Sequence, residues 1–230
     1  MTGARAYFRG SRLLSNAQIA ELVKRGKTES KERKFNESVE AILTFREVDP
    51  KKTDLNINEI VYLPHPGSLR PKICFIGSGD LILRAKNAGA DGLIEPSQLE
   101  SYAGNKKDAK ALAREYDFFL ADTSLMPRIG KILGQYLGPR GRIPTPVPPN
   151  APIEGMIQRF RTAVRVRSRG SLGVTARVGD RKIPDEELAE NIQAVVQVVQ
   201  KKLPGGDRNI RSVMVKTTMG KPVRQGVAQK

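Results

Sequence analysis

The sequence has almost no thiol or imidazole chemistry. Its 230 residues include one cysteine, Cys74, and one histidine, His65. A disulfide framework needs paired cysteines, and a Cys/His metal site needs several such ligands, so neither can be built within one chain. We therefore expect no metal or cofactor. A reducing compartment, the cytoplasm, is the expected location.

Long apolar runs are also missing. No stretch approaches the roughly 18 residues that a membrane helix needs, and the N-terminus lacks the apolar core of a signal peptide. We expect no membrane partner. The basic, glycine-containing start, residues 1–12, is interpreted either as a frayed end or as an RNA-binding arm.

Acidic residues are scarce beside basic ones. Lys and Arg number 40 against 24 Asp and Glu, which gives a net charge of +16. Residues 156–230 carry +10 of that charge. Such an excess indicates a polyanionic partner, and the length suits two domains.

The first regular segments follow the arm. Ser15 with Gln18 three residues later forms a capping-box pattern, which predicts a helix that Gly26 ends. Alternation over residues 39–45 predicts a strand with one buried face. Phe35, directly after two basic residues, either stacks on a nucleotide or covers that strand.

Two proline-rich passages, residues 64–67 and 144–152, enclose a region whose pattern of apolar residues differs from that of the rest of the chain. We interpret both as extended connectors. Between them strand and helix patterns alternate, which indicates a parallel sheet in a domain inserted into another. The sequence GSGD after the first of these strands is interpreted as a tight turn, because it fits neither nucleotide-binding glycine motif.

The stretch of residues 126–146 combines a helix pattern with a basic loop rich in glycine and proline. Lys131 lies off the apolar stripe of that helix, while Arg140 and Arg142 lie in the loop. Arginines with little bulk around them favour contact with a phosphate backbone over a deep substrate pocket.

The C-terminal third ends in a predicted strand, residues 209–218. Alternation places Ser212, Met214, Lys216 and Thr218 on one face, suited to a polar ligand. Pro222, after Gly220, is expected to end strand pairing. Arg165, Arg167 and Arg169 share one face of an earlier strand, which indicates an electrostatic footprint. The run PDEELAENIQAVVQVVQKKLPGG, residues 184–206, predicts a structural helix that ends at a Pro-Gly-Gly stop.

Three motifs together carry a family resemblance: KFNESVE at 34–40, GKILGQYLGPRGRIPTP at 130–146 and RSVMVKTTMGKPV at 211–223. They closely resemble the universal L-one family of large-subunit ribosomal proteins, in its archaeal and eukaryotic branch. The resemblance implies an α/β protein of two domains. Residues 1–66 and 153–230 would form an α+β domain from both chain ends, and residues 67–152 an inserted Rossmann-like three-layer α/β domain.

The resemblance also implies partners. The first domain would bind ribosomal RNA, forming the mobile stalk, and the second would contact exit-site tRNA and help to release it. The chain would also repress translation by binding its own mRNA leader, without an obligate homo-oligomer. The motif-matched RNA positions are Lys34, Phe35, Glu40, Ser212, Thr218, Met219 and Gly220, to which charge and strand position add Arg165, Arg167 and Lys216. The tRNA candidates are Lys131, Arg140 and Arg142.

Two alternatives stay open from the residues alone. One is an RNA-modifying enzyme whose middle domain binds a nucleotide cofactor. A lone histidine and cysteine offer poor nucleophile and base chemistry for it, so we expect no enzyme activity. The other is a free regulatory RNA-binding module.

Overall fold

A computed structural model describes residues 14–48, 56–68 and 70–226, so the N-terminal arm lies outside the described residues. The chain separates into two compact units. One runs to His65 and resumes at Arg165, and the other spans Pro66–Val164. The first division lies one residue before the boundary expected from the sequence, and the second lies twelve residues after it.

The second division moves because helix α6, Ile153–Phe160, packs with the inserted unit. The Phe160 ring meets the Phe118 ring edge-on at 5.4 Å. Arg161 follows α6, and its guanidinium donates to Asp91 Oδ2 at 2.6 Å and to the Gly89 carbonyl at 2.6 Å. These contacts fix the end of α6 within residues 66–164.

The first unit is built on a six-stranded sheet. The strands are β1 Ser38–Phe45, β2 Asn56–Tyr62, β7 Ala163–Arg169, β8 Gly173–Asp180, β9 Ile210–Thr217 and β10 Val223–Gly226. Their order in the sheet is β10-β9-β1-β8-β7-β2, with β1 antiparallel to both β8 and β9. The predicted alternation in β1 is confirmed, since Val39, Ala41, Leu43 and Phe45 are buried while the residues between them are partly exposed.

Helices α1, Asn16–Thr28, and α7, Asp185–Lys202, pack on each other and on this sheet. The capping box at Ser15 and Gln18 is confirmed. Gly26 does not end α1, which continues for two more residues. A Cβ at Gly26 would lie 3.5 Å from the Val215 side chain, so the glycine permits close packing of helix against sheet.

The C-terminal strand does not end the sheet. After the turn at residues 218–222 the chain reverses, and β10 pairs antiparallel with β9, beginning with Val223 opposite Val215. The expectation that Pro222 ends strand pairing is wrong, because the proline lies in the turn just before the new strand and takes no ladder position.

The second unit is a parallel sheet with helices, which confirms the α/β fold class. Its order is β4-β3-β5-β6. The strands are β3 Ile73–Ile76, β4 Gly92–Ile94, β5 Phe118–Asp122 and β6 Thr145–Val147; the helices before α6 are α2 Asp80–Asn87, α3 Pro96–Gly104, α4 Lys106–Glu115 and α5 Met126–Leu137. Alternate residues of β3 and β5, such as Cys74 and Phe119, pack with α3, α4 and α5, while Phe118 faces α6.

Two elements of this unit were not expected. Helix α3 follows β4 directly, and β6 lies inside the proline-rich passage interpreted as a connector. Pro146 is tolerated because β6 is an edge strand. The GSGD turn is confirmed: Gly79 has φ +56° and precedes α2.

Candidate nucleic-acid interface

Two loops of the first unit meet where β1 begins and β9 ends. The backbone N–H of Thr218 donates to the Ser38 carbonyl at 3.0 Å. In return the Thr218 hydroxyl accepts from the Ser38 N–H at 3.0 Å. This reciprocal pair joins the first residue of β1, directly after the loop of residues 29–37, to the turn of residues 218–222.

A buried carboxylate lies behind both loops. Glu37 is 1% exposed, and it accepts hydrogen bonds from Arg181 Nη1 at 2.6 Å and from the Met219 N–H at 3.4 Å. Burial by itself would raise the pKa of Glu37. The hydrogen bonds from Arg181, Met219 and Thr217, together with the Arg181 charge, outweigh it and hold that pKa below the ordinary value of a glutamate.

Arg181 also fixes the end of helix α1. Its Nη2 donates to the carbonyls of Lys27 at 3.0 Å and Ser30 at 3.2 Å, and its Nη1 donates to the Lys31 carbonyl at 3.3 Å. The last carbonyls of a helix lack partners within the helix, so a guanidinium placed there satisfies them. Arg181 thereby connects α1 and the 29–37 loop to Glu37.

Gly220 is required by a close approach. A Cβ there would lie 2.5 Å from the Thr217 hydroxyl oxygen and 3.2 Å from Ser30. Those two hydroxyls lie 2.7 Å apart in a buried hydrogen bond. A side chain at position 220 would therefore push directly on the contact that joins the loop after α1 to β9.

The outer surface of these loops is apolar and basic. Phe35 is 53% exposed and Met219 is 63% exposed, and Lys34 and Thr218 are exposed beside them. Large apolar side chains left in solvent among cations are typical of a binding surface, and of RNA contacts in particular. We call Lys34, Phe35, Thr218, Met219 and Gly220 the loop surface.

A row of polar and basic residues crosses the sheet next to the loop surface. Glu40 on β1 is opposite Lys216 on β9 and Arg177 on β8. Lys216 Nζ lies 3.7 Å from Glu40 Oε2. Residues directly opposite one another in neighbouring strands project from the same face. Glu40 is thus flanked by cations on both sides.

A second row carries the predicted arginines. Arg167 on β7 is opposite Thr175, which is opposite Ile42, which is opposite Met214. Arg165 lies two residues from Arg167 and so projects from that face, and both arginines are partly buried. The side chain of Arg169 lies outside the described part of the chain. Two of the three predicted arginines therefore share the face that carries Glu40 and Lys216.

Ser212 is placed differently from the expectation. It is 1% exposed, and its hydroxyl lies 2.7 Å from that of Thr44 on β1. Its side chain therefore supports the sheet, and the contact of its hydroxyl with RNA stays a prediction.

The inserted unit holds the remaining candidates. Lys131 is exposed on α5, and Arg140 is partly buried in the 3₁₀ turn after that helix. Arg142 has an internal role. Its Nη1 donates to the carbonyls of Ala113 and Tyr116, at 3.0 and 2.5 Å, and its Nη2 lies 3.2 Å from Asp117 Oδ1.

Arg142 therefore ties the end of α4 to the loop before β5, and it offers little free charge to a nucleic acid. Charge and loop composition alone gave no sign of those carbonyl partners.

Sequence reasoning also missed Glu37, Arg181, Ser30 and Thr217. Nothing in their local patterns links them, because they come from three separate segments. A usable signal was the acidic residue Glu37, placed directly before a strand in a stretch rich in charges of both signs.

None of the helices formed by the described residues has both the length and the apolar character needed to cross a bilayer. Within the same ranges, no three His, Cys, Asp or Glu residues are grouped so as to hold a metal ion.

Comparison with known proteins gave consistent matches. Residues 27–221 match the model of the family described as ribosomal protein L1p/L10e. The chain is 46% identical over 213 residues to the large ribosomal subunit protein uL1 of Cenarchaeum symbiosum, covering 93% of this chain and 98% of that one. It is 44% identical to the uL1 of Thermofilum pendens over 215 residues, with 92% and 94% covered. For Methanocorpusculum labreanum uL1 the identity is 41% over 212 residues, with 92% and 99% covered.

Proposed function

The chain belongs to the ribosomal protein L1p/L10e family, and on that premise we propose that its first unit binds a folded region of large-subunit ribosomal RNA to form the mobile stalk. Membership makes it a large-subunit ribosomal protein, similar to those of archaea, and RNA binding is general in the family. The observation that carries the proposal is the loop surface. Its exposed side chains, Phe35 and Met219, lie next to the buried Glu37 carboxylate, which accepts hydrogen bonds from Arg181 and the Met219 N–H.

The loop surface suits RNA that is recognised by shape. RNA grooves are contacted through 2′-hydroxyls, phosphates and unstacked bases. Gly220 leaves the backbone of the turn accessible, Met219 supplies apolar contact, and the Phe35 ring offers a stacking platform. Because Glu37 and Thr218 already fix the loops, little conformational entropy has to be lost on binding.

The sheet face supplies longer-range attraction. Arg165, Arg167 and Lys216 project from the face that carries Glu40, next to the loop surface. Phosphate contacts position a nucleic acid and strengthen binding without reading its sequence. We assign specificity to the loop surface and general affinity to these cations, with Glu40 as an acceptor for a 2′-hydroxyl.

Reconstitution tests the main proposal. Large subunits depleted of this protein should take up the wild-type chain in a stoichiometric complex, and Met219→Ala should reduce the uptake at physiological salt. Lys201→Ala, an exposed lysine on α7, serves as the matched control. Sedimentation of the wild type apart from large subunits under these conditions would instead favour a free regulatory module.

The inserted unit is proposed to contact tRNA at the exit site and to help its release. Lys131 and Arg140 are the candidate residues, since Arg142 is engaged within the unit. Ribosomes carrying Lys131→Ala should release exit-site tRNA at an altered rate. An unchanged rate for both Lys131→Ala and Arg140→Ala would contradict this part.

The same RNA surface is proposed to repress translation from the chain's own mRNA leader. The leader would present a fold like that of the ribosomal site. A reporter fused to the leader should lose translation when wild-type protein is added, and should keep it with Met219→Ala. Reporter translation that does not change when wild-type protein is added would contradict the proposal.

We propose no catalytic step. The one cysteine, Cys74, is fully buried, and desolvation raises the pKa of its thiol to about 12, so it stays protonated at neutral pH. Saturable micromolar binding of a nucleotide or S-adenosylmethionine to the protein would revive the alternative of an RNA-modifying enzyme.

A further inference from the structure

A groove lies between the loop of residues 29–37, which contains Phe35, and the end of β8. Its volume is about 420 Å³, within the ~300–1,000 Å³ range of pockets that hold small organic groups. The residues that line it come from two segments: Glu32, Arg33, Lys34, Phe35, Asn36, Glu37, Arg181 and Lys182. Of these, only Lys34 and Phe35 belong to the loop surface described above.

The bottom of the groove is fixed and electrically neutralised. Glu37 has no exposed side-chain surface, and its carboxylate is paired with Arg181 at 2.6 Å. The Arg181 guanidinium is itself occupied by the carbonyls of Lys27, Ser30 and Lys31. Both charged groups are already paired within the protein, so they form a rigid base for the groove and do not bind a ligand themselves.

The rim is different, because its cations are not neutralised. Arg33, Lys34 and Lys182 are exposed. Within residues 14–48, 56–68 and 70–226, none of the three makes an ion pair. Lys27 and Lys216 differ, because Lys27 pairs with Asp185 and Lys216 pairs with Glu40. Exposed cations without a protein counter-charge are available to phosphate.

We propose that this groove receives one unstacked nucleotide of the bound RNA, with its base on the Phe35 ring and its flanking phosphates against Arg33 and Lys182. The inference rests on the proposed RNA binding and extends the interface beyond the loop surface. The combination of an exposed ring and a cationic rim matches the way single-stranded RNA is held, by stacking on aromatics and by backbone contacts.

The position of the groove supports one continuous path for the RNA. Strand β1 lies between β8 and β9 in the sheet, and Glu37, directly before β1, contacts Arg181 after β8 and the Met219 N–H after β9. The Phe35 loop therefore lies between the turn of residues 218–220 and the residues 181–182. An RNA strand that contacts Met219 reaches Lys182 by passing over Phe35.

A charge-matched pair of double variants tests the phosphate contacts. Arg33→Ala with Lys182→Ala removes two rim cations, and Lys24→Ala with Lys201→Ala removes two exposed lysines that do not line the groove. Affinity for the cognate stalk RNA is measured over a salt series. The rim variant should reduce the slope of log K against log salt by about 1.4, two contacts at the ~0.7 typical of single strands. Equal slopes for the two double variants would overturn the proposal.

Phe35 tests the stacking. Phe35→Leu keeps apolar bulk but removes the ring, and should lower cognate affinity by roughly 5- to 150-fold, as expected from about 1–3 kcal/mol per stacked base. Phe35→Tyr keeps the ring and should restore most of the affinity. Equal losses for Leu and Tyr would contradict a stacking role.

The same assays separate this inference from the function beneath it. If wild-type protein does not prefer cognate RNA, the proposed function fails. If the wild type does prefer it and Met219→Ala loses that preference, but the rim variant behaves like its control, only the groove assignment fails. A free nucleotide is the other source of the same chemistry. Saturable binding of uridine monophosphate that requires Lys182, with an unchanged RNA salt slope, would assign the groove to that ligand instead and overturn the RNA proposal.

Discussion

Arg181 Nη1 lies 2.6 Å from Glu37 Oε2, and the other oxygen of that carboxylate accepts from the backbone of Met219. One ion pair thus joins the end of α1, the start of β1, the end of β8 and the turn after β9. The exposed residues of the loop surface are held by this internal contact. The consequences for stability and for RNA binding are separable by mutation.

Removal of the cation should be costly. Arg181→Ala leaves the Glu37 carboxylate buried without a counter-charge, a situation that costs about 3–5 kcal/mol in other proteins. We expect a loss of about 3 kcal/mol in the unfolding free energy of the first unit, measured by urea denaturation. The double variant with Glu37→Gln should lose clearly less than the sum of the two single changes. Additive losses would show that the two side chains do not act as a pair.

Acid should weaken the same contact. The pKa of Glu37 is lowered in the folded protein, so its contribution is fully present above about pH 4.5 and is lost as the pH falls through the lower folded value. Urea unfolding measured from pH 7 to pH 3 should show wild-type stability falling once the pH drops below about 4.5. Glu37→Gln should show a shallower decline. Parallel curves would mean that other carboxylates account for the acid sensitivity.

Gly220 should tolerate no side chain. Gly220→Ala places a Cβ 2.5 Å from the Thr217 hydroxyl, so the buried Ser30–Thr217 contact must shift. We expect at least a tenfold loss of cognate RNA affinity, together with about 1–3 kcal/mol of stability. The control is Gly155→Ala in α6, where an added Cβ meets nothing within 4 Å; it should be neutral or stabilising by about 0.5–1 kcal/mol. Normal RNA binding by Gly220→Ala would show that the Ser30–Thr217 contact is not needed to position the loop surface.

Loop and sheet residues should differ in what they contribute. Met219→Ala or Thr218→Ala should weaken cognate RNA binding by about 1–3 kcal/mol and leave the salt slope unchanged. Arg165→Ala or Arg167→Ala should weaken binding to every RNA and reduce the slope. Filter binding with cognate and unrelated RNA at several salt concentrations separates the two effects. Equal losses for both sets on both RNAs would remove the distinction.

Arg142 and Lys131 should behave in opposite ways. Arg142→Ala removes charged hydrogen bonds to the carbonyls of Ala113 and Tyr116, and should destabilise the inserted unit by about 2–3 kcal/mol. Lys131→Ala should leave thermal stability unchanged and affect only RNA contact. Thermal denaturation followed by circular dichroism checks both. A stable Arg142→Ala variant would return that arginine to the list of RNA candidates.

Local patterns predicted most of the fold. The capping box of α1, the alternation of β1 and the stop signals of α7 each depend on neighbours in the chain, so the sequence shows them directly. Strands β6 and β10 were not predicted, because a proline in or beside a short segment argues against a strand. Pro146 lies within the edge strand β6, and Pro222 lies in the turn directly before β10.

The limits at the candidate site have the same physical origin. Phe35 and Met219 were identified as candidate RNA contacts through the family resemblance of their motifs. Their support depends on contacts between distant segments, as in Ser30 with Thr217 or Glu37 with Arg181. The internal partners of Ser212 and Arg142 could not be predicted for this reason, since they lie on other segments of the chain.

The most direct test of the central claim is a comparison of two RNAs. The purified protein is titrated with its cognate large-subunit stalk RNA and with an unrelated structured RNA of equal length, across a salt series. We predict a gap in affinity of about a thousandfold or more that persists at physiological salt. Similar affinities that fall together as salt rises would contradict the account and leave a general polyanion binder.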